Sequence, residues 1–196
     1  MPKREVKMKL LRSLLFLMLT CSLMLAQTIH MGQEVFFSEE GVINLAVDAA
    51  VASRNLDSPY VMFMLFLGAD QGAVARFSRD TIFLVHNNQT YKMPPLKEFR
   101  ENYNQDTRDL NLYRRLGKES LVLSKMRFYR FQTAYDFFPA QGQNVRVTDE
   151  GEITAREGFQ TKAYFKNPGF KAGDTILIKV LDMDNNLVWG VTAVEL

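Results

Sequence analysis

From Ile43 the chain alternates. Ile43, Leu45, Val47, Ala49 and Val51 share one parity, and Asn44 and Asp48 take the other. A period of two with one apolar face predicts a half-buried strand. The cluster Asn55-Leu56-Asp57-Ser58-Pro59 turns the chain into Tyr60–Leu67, eight consecutive apolar residues. A run that short, flanked by turn residues, predicts a central strand covered on both faces. Val74–Phe77 and Ile82–His86 are two further strands. Asn87-Asn88-Gln89 is a hairpin-like turn into Tyr91-Lys92-Met93.

Pro94-Pro95 ends that cadence. Leu96, Phe99 and Tyr103 then fall at the spacing of one helical face. Thr107 suits the N-cap of a second helix, with Leu110, Tyr113 and Leu116 on its apolar side. Gly117 suits a left-handed residue ending it, beside Arg114, Arg115 and Lys118, where the helix dipole favours cations. The prediction is a helical insertion over about 96–117. Its helices are too short to stand alone and must dock on a sheet.

After it the pattern returns to strands. Arg127–Phe131 is one, and 136–142 is a loop. Val145–Val147 and Ile153 flank a tight hairpin turn. Phe159, Thr161, Ala163 and Phe165 alternate with Gln160, Lys162 and Lys166. Ile176, Ile178 and Val180 alternate with Thr175 and Lys179, and Leu187–Val194 is the last strand. Short strands at about ten-residue spacing predict a mainly β fold, an antiparallel β-sandwich of the Ig-like kind. A β-barrel is the nearest alternative. The tail from Phe170 to Leu196 resembles, in cadence only, the closing strands of bacterial Ig-like domains.

The N-terminus reads as an address. Lys3, Arg4, Lys7, Lys9 and Arg12 precede Leu14–Ala26, an uncharged apolar stretch of 13 residues. That is too short for a bilayer span of about 20 residues. It fits a secretory signal over 1–26, cleaved near Ala26. The expected order is therefore a signal peptide, an N-terminal arm over 27–41, and one domain over 42–196 with no transmembrane span after signal removal. The protein is expected to be exported, to the periplasm or beyond. Two rival readings make Cys21 the lipid-bearing residue of a lipoprotein, which Thr20 before it disfavours, or make the leader an uncleaved anchor.

This changes the charge picture. Of the 24 basic and 22 acidic residues, the leader holds five and one, leaving 19 against 21. The basic balance of the whole chain belongs to the leader and gives no support to nucleic-acid binding. Cys21 also leaves with the signal, so disulfides, thiol nucleophiles and zinc–cysteine sites are excluded beyond it.

No cofactor or metal is expected. Asp182-Met183-Asp184-Asn185-Asn186 opens like a calcium loop, but Leu187 and Ala193 stand where that loop needs Gly and Glu, so it reads as a turn. His30 and His86 lack metal-ligand spacing. No nucleophile elbow, Walker loop or dinucleotide fingerprint is present. Asn88-Gln89-Thr90 is a glycosylation sequon only in a secreted eukaryotic protein. Trp189 reads as a core anchor.

One local anomaly remains. Lys92–Arg130 holds ten basic and five acidic residues, with aromatics between them. Arg108, Arg114, Arg115, Lys118, Arg127, Tyr129 and Arg130 are the candidate ligand-binding residues, for an anionic glycan, a lipid head group or an acidic envelope or extracellular protein. The competing explanation is a solvated helix face beside a strand with aromatic core residues. The expected function is non-catalytic binding or assembly at the envelope or outside the cell. The alternatives are a carbohydrate-binding or carbohydrate-active domain using 92–131, and a hydrolase with scattered carboxylates.

Overall fold

The computed structural model describes residues 28–196. The leader expected over 1–26, with Cys21, lies outside the described residues. From the N-terminus the order is β1 (Ile29–Gly32), β2 (Val35–Ser38), β3 (Ile43–Asp48), helix α1 (Ala50–Arg54), β4 (Tyr60–Ala69), β5 (Val74–Ser78), β6 (Ile82–His86) and β7 (Gln89–Lys92). Three helices follow: α2 (Leu96–Asn102), α3 (Asp106–Leu116) and α4 (Glu119–Lys125). Then come β8 (Arg130–Gln132), β9 (Tyr135–Asp136), β10 (Arg146–Val147), β11 (Glu150–Thr154), β12 (Glu157–Lys166), β13 (Thr175–Leu181) and β14 (Trp189–Glu195).

The fold is mainly β, with several antiparallel sheets. A six-stranded sheet runs β1-β2-β3-β4-β12-β8, and a four-stranded sheet runs β14-β13-β6-β7. Pairing is antiparallel throughout both, except that β8 joins the edge of β12 in parallel. Strand β4 is the centre, and all ten of its residues are buried. Its two faces are covered by different layers. On the Tyr60 face, Phe99 of α2 meets Tyr60 and Tyr164 with ring centroids 5.5 and 4.4 Å apart, and Phe131 meets Phe66. The opposite face, with Val61, Phe63, Leu65 and Leu67, belongs to the same core as Ile176, Ile178 and Val180 of the four-stranded sheet. This double cover explains why Tyr60–Leu67 carries no polar residue, whereas β13, wet on one side, alternates strictly.

Hydrogen bonds between the β3 region and β14 help hold the sheets together. Thr192 Oγ donates to Leu45 O at 2.9 Å. Beside it Gly41 and Gly190 pair as an isolated bridge, with Val42 N–H on Trp189 O at 2.9 Å. A Cβ on Gly190 would stand 2.2 Å from Ile43 O, so only glycine allows this approach. At the other end of the four-stranded sheet Asn87 and Asn88 both take positive φ, as a two-residue hairpin requires.

Several boundaries differ from the sequence expectations. Within 27–41, expected as an arm, residues 29–38 form the β1–β2 hairpin of the six-stranded sheet. The strand from Ile43 stops at Asp48, whose Oδ1 accepts the Ala50 N–H at 2.9 Å and turns the chain into α1. The helical insertion does not end near 117 but continues as α4. Only Val122 of that helix is buried, with Met126 one turn on, so its apolar signal is a single pair. Thr107 lies inside the first turn of α3 rather than capping it. Gly117 has φ −56, not left-handed. Space is what it supplies, since a Cβ would lie 2.4 Å from the Tyr113 ring. Arg127–Tyr129 form a turn, and the strand begins only at Arg130. Trp189 is half-buried rather than central.

Candidate functional site

Where α4 gives way to β8 the chain opens a cleft of about 970 Å³. Buried Met126 ends the helix, and the Tyr129 N–H donates to Met126 O at 3.0 Å, reversing the chain. The Arg130 N–H then donates to Arg156 O at 2.6 Å and starts the parallel pairing with β12. This brings Arg156 beside Arg130, although Arg156 lies outside the basic segment.

Tyr129 forms the base of the cleft. Its ring covers Gly68 so closely that a Cβ there would meet ring carbon at 2.4 Å. Its hydroxyl donates to Ala69 O at 3.0 Å and accepts from Asn44 Nδ2 at 2.6 Å. Asn44 Nδ2 also donates to Asp70 Oδ1 at 3.0 Å, while Asn44 Oδ1 is buried without a partner. Tyr129 is thus a fixed part of the wall.

Around this base stand Lys125, Arg127, Arg130 and Arg156, against Glu39, Asp70 and Glu157. Lys125 pairs with Glu39 at 3.8 Å and lies over the Phe37 ring. Among the described residues Arg127, Arg130 and Arg156 have no ion-pair partner. Arg127 lies over the Phe128 ring, 4.9 Å from its centroid, and Phe128 is 73% exposed at the rim. Guanidinium groups held this way present planar donor forks to an arriving carboxylate, sulfate or phosphate.

Of the seven residues named from sequence, Arg127, Tyr129 and Arg130 meet in this cleft. The other four do not. Arg108 is exposed on α3 and donates to Gln105 Oε1. Arg114, which donates to Asn111, lines a separate cavity of about 210 Å³, and Arg115 is exposed on the same helix. Lys118 lines a third hollow with Glu34 and Arg54, and its backbone N–H donates to Asp48 Oδ2 at 2.7 Å. Sequence reasoning left out Lys125, Phe128, Asn44 and Arg156. Lys125 and Phe128 lay inside the segment already marked, whereas only the fold brings Asn44 and Arg156 to it.

Other buried polar groups lie elsewhere in the helix–sheet layer, two of them around Asp109 and Lys162. Asp109 accepts from Tyr103 and from Asn55 Nδ2, and Ser58 Oγ stands 3.2 Å from the Tyr103 hydroxyl. Burial raises the Asp109 carboxyl above its ordinary value against the lowering effect of the Tyr103 hydrogen bond, and it raises Asp48 as well. Burial also drives the Tyr103, Tyr113 and Tyr164 hydroxyls up, so all three stay neutral. The second group is Lys162, whose ammonium contacts Asp136 Oδ2 and donates to Gln143 Oε1 at 3.0 Å.

Among the described residues no three His, Cys, Asp or Glu side chains converge as metal ligands, and no helix is long and apolar enough to cross a membrane. The Asp182 carboxylate closes its own turn, accepting from Asp184, Asn185 and Arg76 N–H groups. Compared with known proteins, the chain matches no protein family, no curated protein and no solved structure.

Proposed function

We propose that the protein is exported and acts, without catalysis, as a binding module at the cell envelope or outside the cell, taking an anionic ligand in the cleft around Tyr129. The observation that carries this reading is the convergence of Arg127, Arg130 and Arg156, from two distant stretches of chain, with no ion-pair partner among the described residues. Charges left unpaired beside a shaped cleft attract and orient an oppositely charged partner. The leader Lys3–Ala26 supports export. The Ig-like sandwich remains our finer reading of the scaffold, supported by the Thr192–Leu45 tie between the two sheets.

Within the anionic class an acidic glycan fits best, because exposed Phe128 adds an apolar ring beside the guanidinium groups. Carboxylates would bind the arginines, and a sugar face would lie on the phenyl ring. Calorimetric titration with uronate oligomers, with neutral oligomers of equal length as control, tests this. Binding that weakens with salt, is absent for the neutral series and is lost in Arg127→Glu/Arg130→Glu supports the proposal. Equal binding of both series, or none at low salt, overturns it. Fractionation with N-terminal sequencing tests export, with a mature start expected near Gln27 outside the cytosol. An intact leader on cytosolic protein would defeat that part.

A further inference from the structure

We propose that Lys162 and Asp136 condense into an intramolecular amide, a covalent cross-link between β12 and the end of β9. The pair is 26 residues apart in sequence and nearly inaccessible, with side-chain exposures of 2% and 10%. Lys162 Nζ contacts Asp136 Oδ2, and Gln143 Oε1 accepts a second Nζ hydrogen at 3.0 Å, which fixes the direction of the amine.

The other carboxyl oxygen is in a different setting. Asp136 Oδ1 accepts from Thr161 Oγ at 2.9 Å, from the Phe138 N–H at 3.1 Å and from the Lys162 N–H at 3.2 Å. Three fixed donors on one oxygen are what the anion of a tetrahedral intermediate needs. The carboxyl is thus divided into an oxygen held for negative charge and an oxygen facing the amine.

The step balances within the pair. A proton passes from the Lys162 ammonium to Asp136 Oδ2, giving a neutral amine and a neutral acid. Nζ then attacks Cγ with its lone pair, and the C=O electrons move onto Oδ1. A second Nζ proton passes to the Oδ2 hydroxyl. The Cγ–Oδ2 bond breaks as the C=O reforms, leaving an amide and one water. No oxidant, reductant or further reactant is used. The water has an exit, because both residues line the cavity of about 210 Å³ that opens beside Tyr135 and Val145.

The fold lowers the barrier. Holding amine and acid in contact replaces a bimolecular encounter, worth about 10⁵ M or more in effective concentration. The product is a neutral amide in place of a buried ion pair. The chain beyond Cys21 has no cysteine, so an amide here is a cross-link that needs no thiol.

Tryptic mapping of the purified, denatured full-length protein tests the proposal. Trypsin does not cut at an acylated lysine. The expected product is a branched species joining Phe131–Arg146 to Glu157–Lys166, about 18 Da lighter than the two together, the mass of one water. Lys162→Arg keeps the charge but should abolish the branch. A branched peptide that carries most of the material supports the cross-link. Linear Phe131–Arg146 and Glu157–Lys162 peptides at unmodified mass, carrying most of the material, overturn it. The wild-type map decides alone if the variant fails to accumulate.

Discussion

The Tyr103 hydroxyl donates a 2.6 Å hydrogen bond to Asp109 Oδ2 across the turn between α2 and α3. The bond closes a polar group that Ser58, Asn55 and Tyr164 surround, beneath the helices and against the central sheet. It stabilises the carboxylate, yet burial outweighs it and the Asp109 carboxyl is raised above 3.8. A group that holds its proton more tightly folded than unfolded contributes most stability at low pH. That contribution is lost as pH climbs from 3.8 through the raised value. Asp109→Asn should therefore gain on wild type in urea-unfolding free energy as pH increases, then level off. A wild type that gains on the variant with increasing pH would contradict this.

The Gly41–Gly190 bridge leads to a prediction about stability. Gly190→Ala places a methyl against the Ile43 carbonyl, which cannot move without breaking the bridge. Overpacking of this kind costs about 3 kcal/mol. Gly142→Ala is the control. It has φ +81 but nothing within 4 Å, so only the backbone cost of about 1 kcal/mol applies. Denaturant midpoints of the two variants test this ordering, and equal losses would refute it.

At the base of the cleft, Tyr129→Phe removes two hydrogen bonds and leaves the Asn44 amide short of an acceptor. A loss of about 1 kcal/mol is expected from chemical unfolding. Gly68→Ala should alter the cleft more than the fold, because the added methyl meets the Tyr129 side chain rather than backbone and can displace the ring only by breaking its two hydroxyl hydrogen bonds. Its tyrosine fluorescence should change while far-ultraviolet dichroism does not. Unchanged fluorescence would show that the ring does not rest on Gly68.

The proposed ligand distinguishes two sets of arginines. Arg114→Glu/Arg115→Glu lies on α3, away from the cleft, and should leave uronate affinity within about twofold at physiological salt, where distant charges are screened. Phe128→Ala should lower that affinity about fivefold, from the loss of one exposed aromatic contact. It should leave the unfolding midpoint unchanged. Titration calorimetry on both variants is the measurement, and the reverse order would place the ligand on α3.

Much of the fold is legible locally. Tyr60–Leu67 announces a doubly covered strand because no polar residue interrupts it. Asn87-Asn88 announces a tight hairpin because asparagine tolerates positive φ. Phe99, Tyr103, Leu110 and Tyr113 mark the buried sides of their helices. Lys162 is the instructive failure. Period two puts it with Gln160 and Lys166 on a wet face, yet it is 1% exposed. Its shield is the loop carrying Asp136 and Gln143, and nothing near Lys162 in sequence encodes where that loop returns. Arg156 was missed for the same reason, since its neighbour Arg130 is supplied by a long-range pairing. Local periodicity reports which side of an element is dry, not which distant segment makes it so.

The parallel pairing of β8 with β12 has a consequence for anyone seeking a minimal fragment. Asn44, Gly68, Tyr129 and Arg156 belong to four separate stretches and become neighbours only after the central sheet has closed. No excised peptide, however rich in arginine, reproduces that constellation. The proposed recognition at this cleft would therefore be a late product of folding, gained when the whole domain is assembled and lost at the first global opening.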